Sequence, residues 1–288
     1  PTPIVLKADG LAAGKGVVVC ESRAQAIETL KMFFTGLFGI AGSTVVVEEF
    51  LEGEEASVLA LTDGERYVIF PPAQDHKRIG DGDRGKNTGG MGAYSPTPLV
   101  DSETLAYIEK AIIVPAIEGM ATEGFPFNGC LYAGLMIQDK KAKVVEFNCR
   151  FGDPETQAVL PLVRGDFANL LYSIAKGSLE SRYFEGVSSD QYSCCVILAS
   201  NGYPDSYEKG FEITGIRKAE SLGCLVFHSG TKLDGDKVIT DGGRVVGVCG
   251  IGNTLSESIE KAYLGVEVVS FANKYYRRDI GKRGLRYV

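Results

Sequence analysis

The sequence predicts a mixed α/β fold with a smaller α+β part at its carboxyl end. β-Branched runs alternate with segments of helical spacing up to about residue 185, and short strands with turns follow. Two helical segments begin with a capping box, a Ser or Thr followed three residues later by Gln or Glu. These boxes are Ser22 with Gln25 and Thr254 with Glu257. The three expected domains are residues 1–64, 65–187 and 188–288.

The first domain is expected to hold a hairpin, a helix and two more strands. Glycines between the apolar runs 4–8 and 17–19 predict the turn of the hairpin. The helix opened by Ser22 should run to Gly36, since glycine commonly follows the last helical residue. Strands are expected at 44–50 and 54–61.

The second domain is interrupted by a long aperiodic stretch at 71–98, after a strand at 67–70. Such loops are usually functional or disordered, and the embedded His76, Met91 and Tyr94 favour ordering around a ligand. The remaining elements are a helix at 102–124 interrupted at Pro115, strands at 131–137 and 143–148, a helix capped by Asp153 with Pro154 as its first residue, and a helix from Asp166 to about Gly177.

The third domain is expected to contain strands at 193–199, 223–228 and 244–248. Its last helix should begin after Thr254 and continue towards Tyr275.

Composition excludes several classes of protein. The 288 residues carry a formal net charge of −7, which argues against a general nucleic-acid binder. The seven cysteines form no C-x-x-C pair and favour buried thiols in a reducing, cytoplasmic compartment. No apolar run approaches the length of a membrane span, so no membrane partner is expected.

The segment from Lys7 to Val19 predicts a phosphate-binding hairpin. Glycine N–H groups flanked by the ammonium groups of Lys7 and Lys15 can hold phosphate oxygens, with Gly14 and Gly16 keeping the turn open. The spacing is not that of a Walker A loop, and β-branched residues follow where that motif has a helix. An ordinary glycine-rich turn is the alternative.

Glu146 and Asn148 predict a metal site, because residues two apart on a strand share one face. A carboxylate and an amide oxygen suit Mg²⁺, which also binds nucleotide phosphates. The apolar neighbours favour a mostly buried strand. Arg150 follows on the same face and can neutralise charge during phosphoryl transfer. A solvent-exposed polar edge, or an ion pair between Arg150 and Glu146, are the alternatives.

The segment from Glu48 to Glu55 favours a nucleotide slot. Main chain at Glu48, Phe50 and Leu51 can meet a base, and the carboxylate of Glu55 can hold ribose hydroxyls; a solvated acidic run is the alternative. The two histidines have no zinc-like spacing. G-x-S-x-G does not occur, which argues against a hydrolase triad.

Five motifs resemble the glycinamide ribonucleotide synthetase (phosphoribosylamine–glycine ligase) family of the ATP-grasp superfamily. They are KADGLAAGKGVV from Lys7, EEFLEGEEAS from Glu48, QDHKR from Gln74, NTGGMGAYSP from Asn87 and EFNCRFGDPETQ from Glu146. The resemblance covers essentially the whole chain and implies an ATP-grasp fold with a small C-terminal α+β domain.

The resemblance also implies an activity in de novo purine biosynthesis. ATP would phosphorylate glycine, and 5-phosphoribosylamine would displace phosphate from the glycyl phosphate, giving glycinamide ribonucleotide. Mg²⁺ or Mn²⁺ would be required. Other ATP-grasp carboxylate–amine ligases and a non-catalytic nucleotide-binding fragment are the alternatives.

The resemblance assigns residues to these steps. Lys7, Gly14, Lys15 and Gly16 would bind phosphates, Glu48, Phe50 and Leu51 the adenine, Glu55 the ribose, and Glu146 with Asn148 the metal. Arg150, Asp75 and Lys77 would be catalytic, and Asn87, Thr88, Gly89, Gly90, Met91 and Asp153 would line the site of glycine and phosphoribosylamine.

The family also has a domain before the strand of Lys7. We therefore expect this chain to be part of a longer polypeptide, and to bind ATP without full turnover on its own.

Overall fold

The computed structural model describes residues 2–10, 12, 16–187 and 190–288. The chain divides into two compact units, Pro1–Glu52 and Gly53–Val288. The expected division into three domains remains a prediction.

The first unit is a three-stranded antiparallel sheet with one helix. Its elements are β1 (Ile4–Ala8), β2 (Val17–Cys20), α1 (Arg23–Met32), a π-helical turn (Phe33–Leu37), a 3-10 turn (Gly39–Gly42) and β3 (Val45–Glu49), with strand order β2-β1-β3. Leu6, Cys20 and Phe33 form its core. Ser22 caps α1 as expected, since its Oγ accepts from Gln25 N at 3.2 Å. Gly36 has a φ of 102°, which favours glycine there.

The second unit contains the remaining elements. In chain order these are β4 (Glu54–Thr62), β5 (Tyr67–Ile69), β6 (Gln74–Asp75), β7 (Arg78–Gly80), β8 (Arg84–Asn87), β9 (Gly92–Ser95), α2 (Ser102–Ile108), a π-helical turn (Glu109–Ile113), α3 (Val114–Thr122), β10 (Gly129–Gln138), β11 (Lys141–Asn148), α4 (Glu155–Val159), a 3-10 turn (Leu160–Leu162), β12 (Val163–Gly165), α5 (Phe167–Ala175), a 3-10 turn (Ser181–Tyr183), β13 (Phe184–Val187), β14 (Tyr192–Ser200), α6 (Ile216–Ser221), β15 (Leu225–His228), β16 (Thr231–Asp234), β17 (Lys237–Thr240), β18 (Arg244–Gly252), α7 (Leu255–Val268), β19 (Lys274–Tyr275) and a 3-10 turn (Gly284–Arg286).

The sheet that carries the candidate metal residues has the order β11-β10-β4-β5. One face, with Val58, Leu131 and Leu135, packs on α2, the π-helical turn after it and α3, through Ile108, Ile113 and Ile117. The other face, with Leu59, Leu61 and Tyr132, packs on α5 through Leu170 and Ile174. Burying both faces explains why β4 and β10 are nearly continuous apolar runs.

A second sheet has the order β15-β18-β14-β9-β6, and β19 also pairs with β14. Its largest core lies under α7, where Leu255, Ala262 and Val266 meet Val196 and Val248. Strands β6 and β9 come from the expected second domain, whereas β14 and β18 come from the expected third. This sheet therefore joins sequence from both sides of residue 187.

The aperiodic stretch at 71–98 is not structureless. It forms the four short strands β6 to β9, and its ordering comes from packing within the chain. His76, Met91 and Tyr94 each have no exposed surface. His76 N donates to Gly92 O at 2.9 Å, and Met91 N donates to His76 O at 2.8 Å. Short strands joined by glycines have too few residues to show periodicity in the sequence.

Two arginines near the carboxyl end hold this stretch. The Arg277 guanidinium, which has no exposed surface, pairs with Asp83 at 2.9 Å and Asp279 at 2.7 Å and donates to Arg78 O at 3.0 Å. Arg283 donates to Asp75 O at 2.8 Å and pairs with Asp83 at 3.3 Å. Both arginines thus fix the backbone that carries β6 and β7.

Other helix boundaries test the capping patterns. Asp166 caps α5 as expected, and its Oδ1 accepts from Asn169 N at 3.0 Å. The expected interruption at Pro115 takes the form of the π-helical turn Glu109–Ile113 just before that residue.

Two expected boundaries are wrong. Asp153 does not cap a helix, because α4 begins at Glu155, after Pro154. The Asp153 carboxylate instead accepts a hydrogen bond from Gln157 Nε2 at 3.0 Å and forms an ion pair with Arg244. Helix α7 ends at Val268 instead of continuing towards Tyr275. Ser270 there forms a β-bridge with Thr214, so tertiary pairing of a β-branched segment overrides helix continuation.

All seven cysteines are free thiols; six are buried, and Cys149 is exposed. Among the described residues, no helix combines the length and apolarity required to cross a bilayer.

The Arg277 network predicts a large loss of stability on substitution. Arg277→Met leaves Asp83 and Asp279 without their buried partner, and we expect the free energy of unfolding to fall by about 3 kcal/mol. Arg278→Met, at an exposed neighbouring position, should change it by less than about 0.5 kcal/mol. Urea denaturation of both variants measures the difference. Equal stability of the two would contradict this role of Arg277.

Candidate active site

A bulge between β10 and β11 decides the face on which Glu146 and Asn148 lie. Leu135 pairs with Val144, but the adjacent Gly134 pairs with Glu146. Strand β11 therefore has one more residue than β10 between these pairs, and its later residues change face. Gly134 also gives Glu146 room, since a Cβ at Gly134 would lie 3.3 Å from Glu146 Cγ.

Glu146, Asn148 and Arg150 form a hydrogen-bonded row. Asn148 Nδ2 donates to Glu146 Oε1 at 2.9 Å, and Arg150 Nη2 lies 3.5 Å from Asn148 Oδ1. Carboxylate and amide oxygens side by side fit Mg²⁺ or Mn²⁺. In the described part of the chain, no three His, Cys, Asp or Glu side chains cluster as metal ligands. The oxygen pair thus suits an ion that shares its coordination with ligand phosphates and water.

The expectation that this strand is mostly buried is wrong. β11 lies at the edge of its sheet, Glu146 is exposed, and Phe147 is 44% exposed. Apolar neighbours do not guarantee burial at a sheet edge. The feature that suits a metal is therefore the adjacent pair of oxygen donors on Glu146 and Asn148, and not the burial of Glu146.

Asp75, Lys77 and Glu55 form a charged cluster beside β4. Lys77 pairs with Glu55. Burial raises the pKa of the Asp75 carboxyl to about 7, with Lys77 opposing this rise and Glu155 and Glu55 adding to it. Burial alone would lower the pKa of Lys77, but the carboxylates of Asp75 and Glu55 outweigh it and raise that pKa. The cluster thus holds a fixed cation beside a carboxyl that can exchange a proton near neutral pH.

A buried polar network, which sequence patterns did not indicate, lies behind this cluster. Tyr132 OH donates to Glu155 Oε1 at 2.8 Å and lies 2.6 Å from Ser57 Oγ. Glu155 is only 4% exposed. Tyr132 pairs with Asn148 across the sheet, so its ring lies on the face of the candidate metal residues. Ser57 and Glu155 belong to two different motifs and Tyr132 to none, so only the fold shows their association.

The candidate substrate loop from Asn87 to Met91 is bonded to the Asp75–Lys77 backbone. Thr88 N and Thr88 Oγ1 both donate to Lys77 O, at 2.7 and 2.8 Å. Gly90 N donates to Thr88 Oγ1 at 2.9 Å. Asn87 is exposed, whereas the Met91 side chain lies entirely in the core.

Asp153 is brought to this loop by Arg244, a residue that the sequence did not indicate. Arg244 Nη1 donates to Gly89 O and to Asp153 O, each at 2.8 Å. Arg244 lies at the start of β18 in the expected third domain, and no motif marks it.

The first unit contains the other predicted ligand-binding residues that the structure describes. Lys7 Nζ pairs with Glu48 Oε2 at 2.6 Å, across the neighbouring strands β1 and β3. Phe50 and Leu51 follow β3, and Phe50 is exposed. Gly16 lies close to Ala8, whose N–H donates to Gly16 O at 2.8 Å. Gly14 and Lys15 lie outside the described residues.

His76 is buried beside Asp75, and neither of its ring nitrogens has a hydrogen-bond partner among the described residues. Burial lowers the pKa of His76 to about 3, and the cations Arg283 and Arg277 act in the same direction. The imidazole is therefore neutral at physiological pH.

Comparison with family models identifies the family of this chain. Residues 1–156 match the family model described as "Phosphoribosylglycinamide synthetase, ATP-grasp (A) domain" and residues 193–283 the corresponding C domain. The fold is therefore an ATP-grasp fold. The chain belongs to the phosphoribosylglycinamide synthetase family.

Individual relatives agree with this family. The chain is 48% identical to the phosphoribosylamine–glycine ligase of Chlorobaculum tepidum, over 98% of this chain and 67% of the relative. It is 48% identical to a bifunctional purine biosynthetic protein of Pichia angusta, over 98% of this chain and 36% of that protein. A crystal structure of the Thermotoga maritima phosphoribosylamine–glycine ligase superposes with a TM-score of 0.85 at 39% identity, covering 96% of this chain and 68% of that one. The chain thus spans about one third to two thirds of the length of these proteins.

The environment of His76 predicts a pH dependence of stability. Unfolded His76 binds a proton below its ordinary pKa of 6.5, whereas the native ring stays neutral down to a pKa of about 3. Protons are therefore taken up on unfolding between these values, and stability falls as the pH falls. Replacing His76 with Leu removes this contribution to the pH dependence of stability. The raised pKa of Asp75 contributes in the opposite direction, but equally in the unmodified protein and in His76→Leu.

As the pH is lowered from 6 to 4, we expect the free energy of unfolding to fall more steeply in the unmodified protein than in His76→Leu. The difference in slope should be up to about 1.4 kcal/mol per pH unit. Urea denaturation at several pH values measures this slope. Substituting the exposed His228 with Leu is the control and should leave the slope unchanged. Parallel curves for His76→Leu and the unmodified protein would contradict a buried, neutral His76.

Proposed function

We propose that this chain carries the nucleotide-binding and ligase part of a phosphoribosylamine–glycine ligase. The reaction joins glycine to 5-phosphoribosylamine at the expense of ATP, giving glycinamide ribonucleotide, ADP and phosphate. The row of Glu146, Asn148 and Arg150 carries the proposal, because two oxygen-bearing side chains suited to a metal lie in contact with each other and next to a guanidinium. Membership of the family and the names of the relatives support it.

Three groups of residues are proposed to bind the phosphates, the adenine and the ribose of ATP. Lys7, with Gly14, Lys15 and Gly16, would bind phosphates, and main chain at Glu48, Phe50 and Leu51 would bind adenine. Glu55 would hold ribose hydroxyls. Its ion pair with Lys77 would orient that carboxylate and also link the ribose to the proposed catalytic cluster.

Glu146 and Asn148 would hold Mg²⁺ or Mn²⁺. When bound, the ion supplies charge neutralisation for the phosphate oxygens of ATP. Arg150 lies next to this pair, and its guanidinium would stabilise the charge that develops as the γ-phosphoryl group passes to the glycine carboxylate. The product is a glycyl phosphate, a better acylating agent than a free carboxylate.

Asp75 and Lys77 are proposed to act on the second step. The amine nitrogen attacks the glycyl carbonyl, phosphate leaves, and the nitrogen loses a proton. With burial raising its pKa to about 7, the Asp75 carboxyl is suited to accept that proton near neutral pH. Lys77 stays charged and would hold an anionic oxygen of the substrate. Residues 87–91 and Asp153 would line the site of glycine and the amine.

The proposed partners are thus small molecules. Seven free thiols favour a reducing compartment, and we propose a cytoplasmic location.

A substrate test decides the reaction. We expect the whole protein to release ADP from Mg-ATP only when glycine and 5-phosphoribosylamine are both present, with glycinamide ribonucleotide as the product. ADP release with bicarbonate, but not with this pair, would contradict the proposal.

A variant tests the metal assignment. Glu146→Ala should weaken Mg²⁺-dependent ATP binding by at least about tenfold, since it removes the charged ligand. Glu65→Ala, at an exposed position in the turn between β4 and β5, is the matched control. Calorimetric titration with ATP, with and without Mg²⁺, measures both. Undiminished Mg²⁺-dependent affinity in Glu146→Ala would rule out Glu146 as a ligand.

A further inference from the structure

We propose that Arg244 is a positioning residue for the amine-substrate site. It fixes the Gly89–Gly90 turn and the Asp153 turn in one arrangement. The inference rests on the proposed function, because those two turns are the ones proposed to line the site of glycine and phosphoribosylamine.

The contacts of Arg244 join three parts of the chain. Its Nη1 lies 2.8 Å from Gly89 O, 3.3 Å from Gly90 O and 2.8 Å from Asp153 O, and 3.2 Å from Asp153 Oδ1. A guanidinium suits several oxygens converging on one point, because it is planar and keeps its charge. The Arg244 side chain is 20% exposed, so these contacts are only partly screened by water.

The turns are shaped to admit the guanidinium. A Cβ at Gly89 would lie 3.0 Å from Arg244 Cζ, so a side chain there would press against the guanidinium. Gly90 has a φ of 112°, and a Cβ on it would collide with Pro154. The two glycines therefore allow close approach both to Arg244 and to the Asp153 turn.

A second contact to the same turn comes from Tyr203, which lies in the turn after β14. Gly89 N donates to the hydroxyl of Tyr203 at 2.9 Å. Tyr203 packs against Gly243, where any Cβ would collide with the ring, and Gly243 precedes Arg244. Ser200 N donates to Gly243 O at 2.8 Å, which ties this corner to the end of β14. Arg244 thus acts from a rigid sheet on a loop that has little regular structure of its own.

The positions of these contacts determine which substrate should be affected most when Arg244 is substituted. Arg244 contacts the turns proposed to line the amine site. Among the described residues, it forms no hydrogen bond with Glu146, Asn148 or Arg150. Its loss should therefore weaken use of the amine more than use of ATP. A general loss of folding would instead affect all substrates alike.

The test compares Arg244→Met, Arg244→Lys and the control Lys237→Met in the whole protein. Lys237 forms an exposed ion pair on the β16–β17 hairpin, away from both turns. For Arg244→Met, we expect the KM for 5-phosphoribosylamine to rise about tenfold or more, with the KM for ATP changed less than about twofold. Arg244→Lys keeps the charge but not the planar fork, so an intermediate KM is expected. Lys237→Met should match the unmodified protein.

Amide hydrogen exchange gives a second readout that needs no turnover. Gly89 and Gly90 N–H should exchange about tenfold faster in Arg244→Met, while amides of β10 keep their protection. Unchanged exchange at the turn, or equal rises in the KM of all substrates, would overturn the positioning role. If the unmodified protein releases no ADP with glycine and phosphoribosylamine, the proposed function is wrong, and the substrate role of Arg244 is wrong with it. The exchange rates then show separately whether Arg244 holds the turn.

Discussion

The ion pairs of Arg277 and Arg283 with Asp83 constrain the segment from β6 to β9. This segment consists of four short strands, and it carries Asp75, Lys77 and the candidate substrate loop. Arg283 binds the backbone of Asp75, and fully buried Arg277 binds the backbone of Arg78. Moving the segment would leave a buried guanidinium without its partners, which costs several kcal/mol. The carboxyl-terminal residues are thus part of the candidate active site, although none of them is proposed to touch substrate.

The orientation of the candidate metal residues, Glu146 and Asn148, depends on a local change of strand register. The β-bulge opposite Gly134 turns Glu146 and Asn148 to the face where Ser57, Tyr132 and Glu155 form their network. Bulges commonly re-aim side chains beside active sites. A regular register would direct Glu146 to the face packed on α2 and α3, where an unpaired carboxylate would be costly. The register of β10 and β11 therefore places the Glu146 carboxylate on the face of the sheet that carries the other polar side chains.

The sequence predicted what local patterns determine. Spacing indicated that Glu146 and Asn148 share a face, and capping residues located the starts of α1, α5 and α7. It did not predict the exposed edge position of β11, because apolar residues also occur at edges. Nor did it predict the contacts that Arg244, Arg277 and Tyr132 make with residues distant in sequence. Helix α7 and the Asp153 turn deviated where tertiary pairing and the Arg244 ion pair outweighed local propensity.

Hydrogen exchange of an Arg283→Gln variant tests most directly whether the carboxyl-terminal arginines hold the catalytic segment. Arg278→Gln, at an exposed site, serves as the control. The account predicts that the amides of His76, Thr88 and Met91 lose protection by about tenfold or more in Arg283→Gln, while Tyr132 and Ala133 in β10 keep theirs. Unchanged protection at His76, Thr88 and Met91, or a uniform loss throughout the second unit, would contradict it.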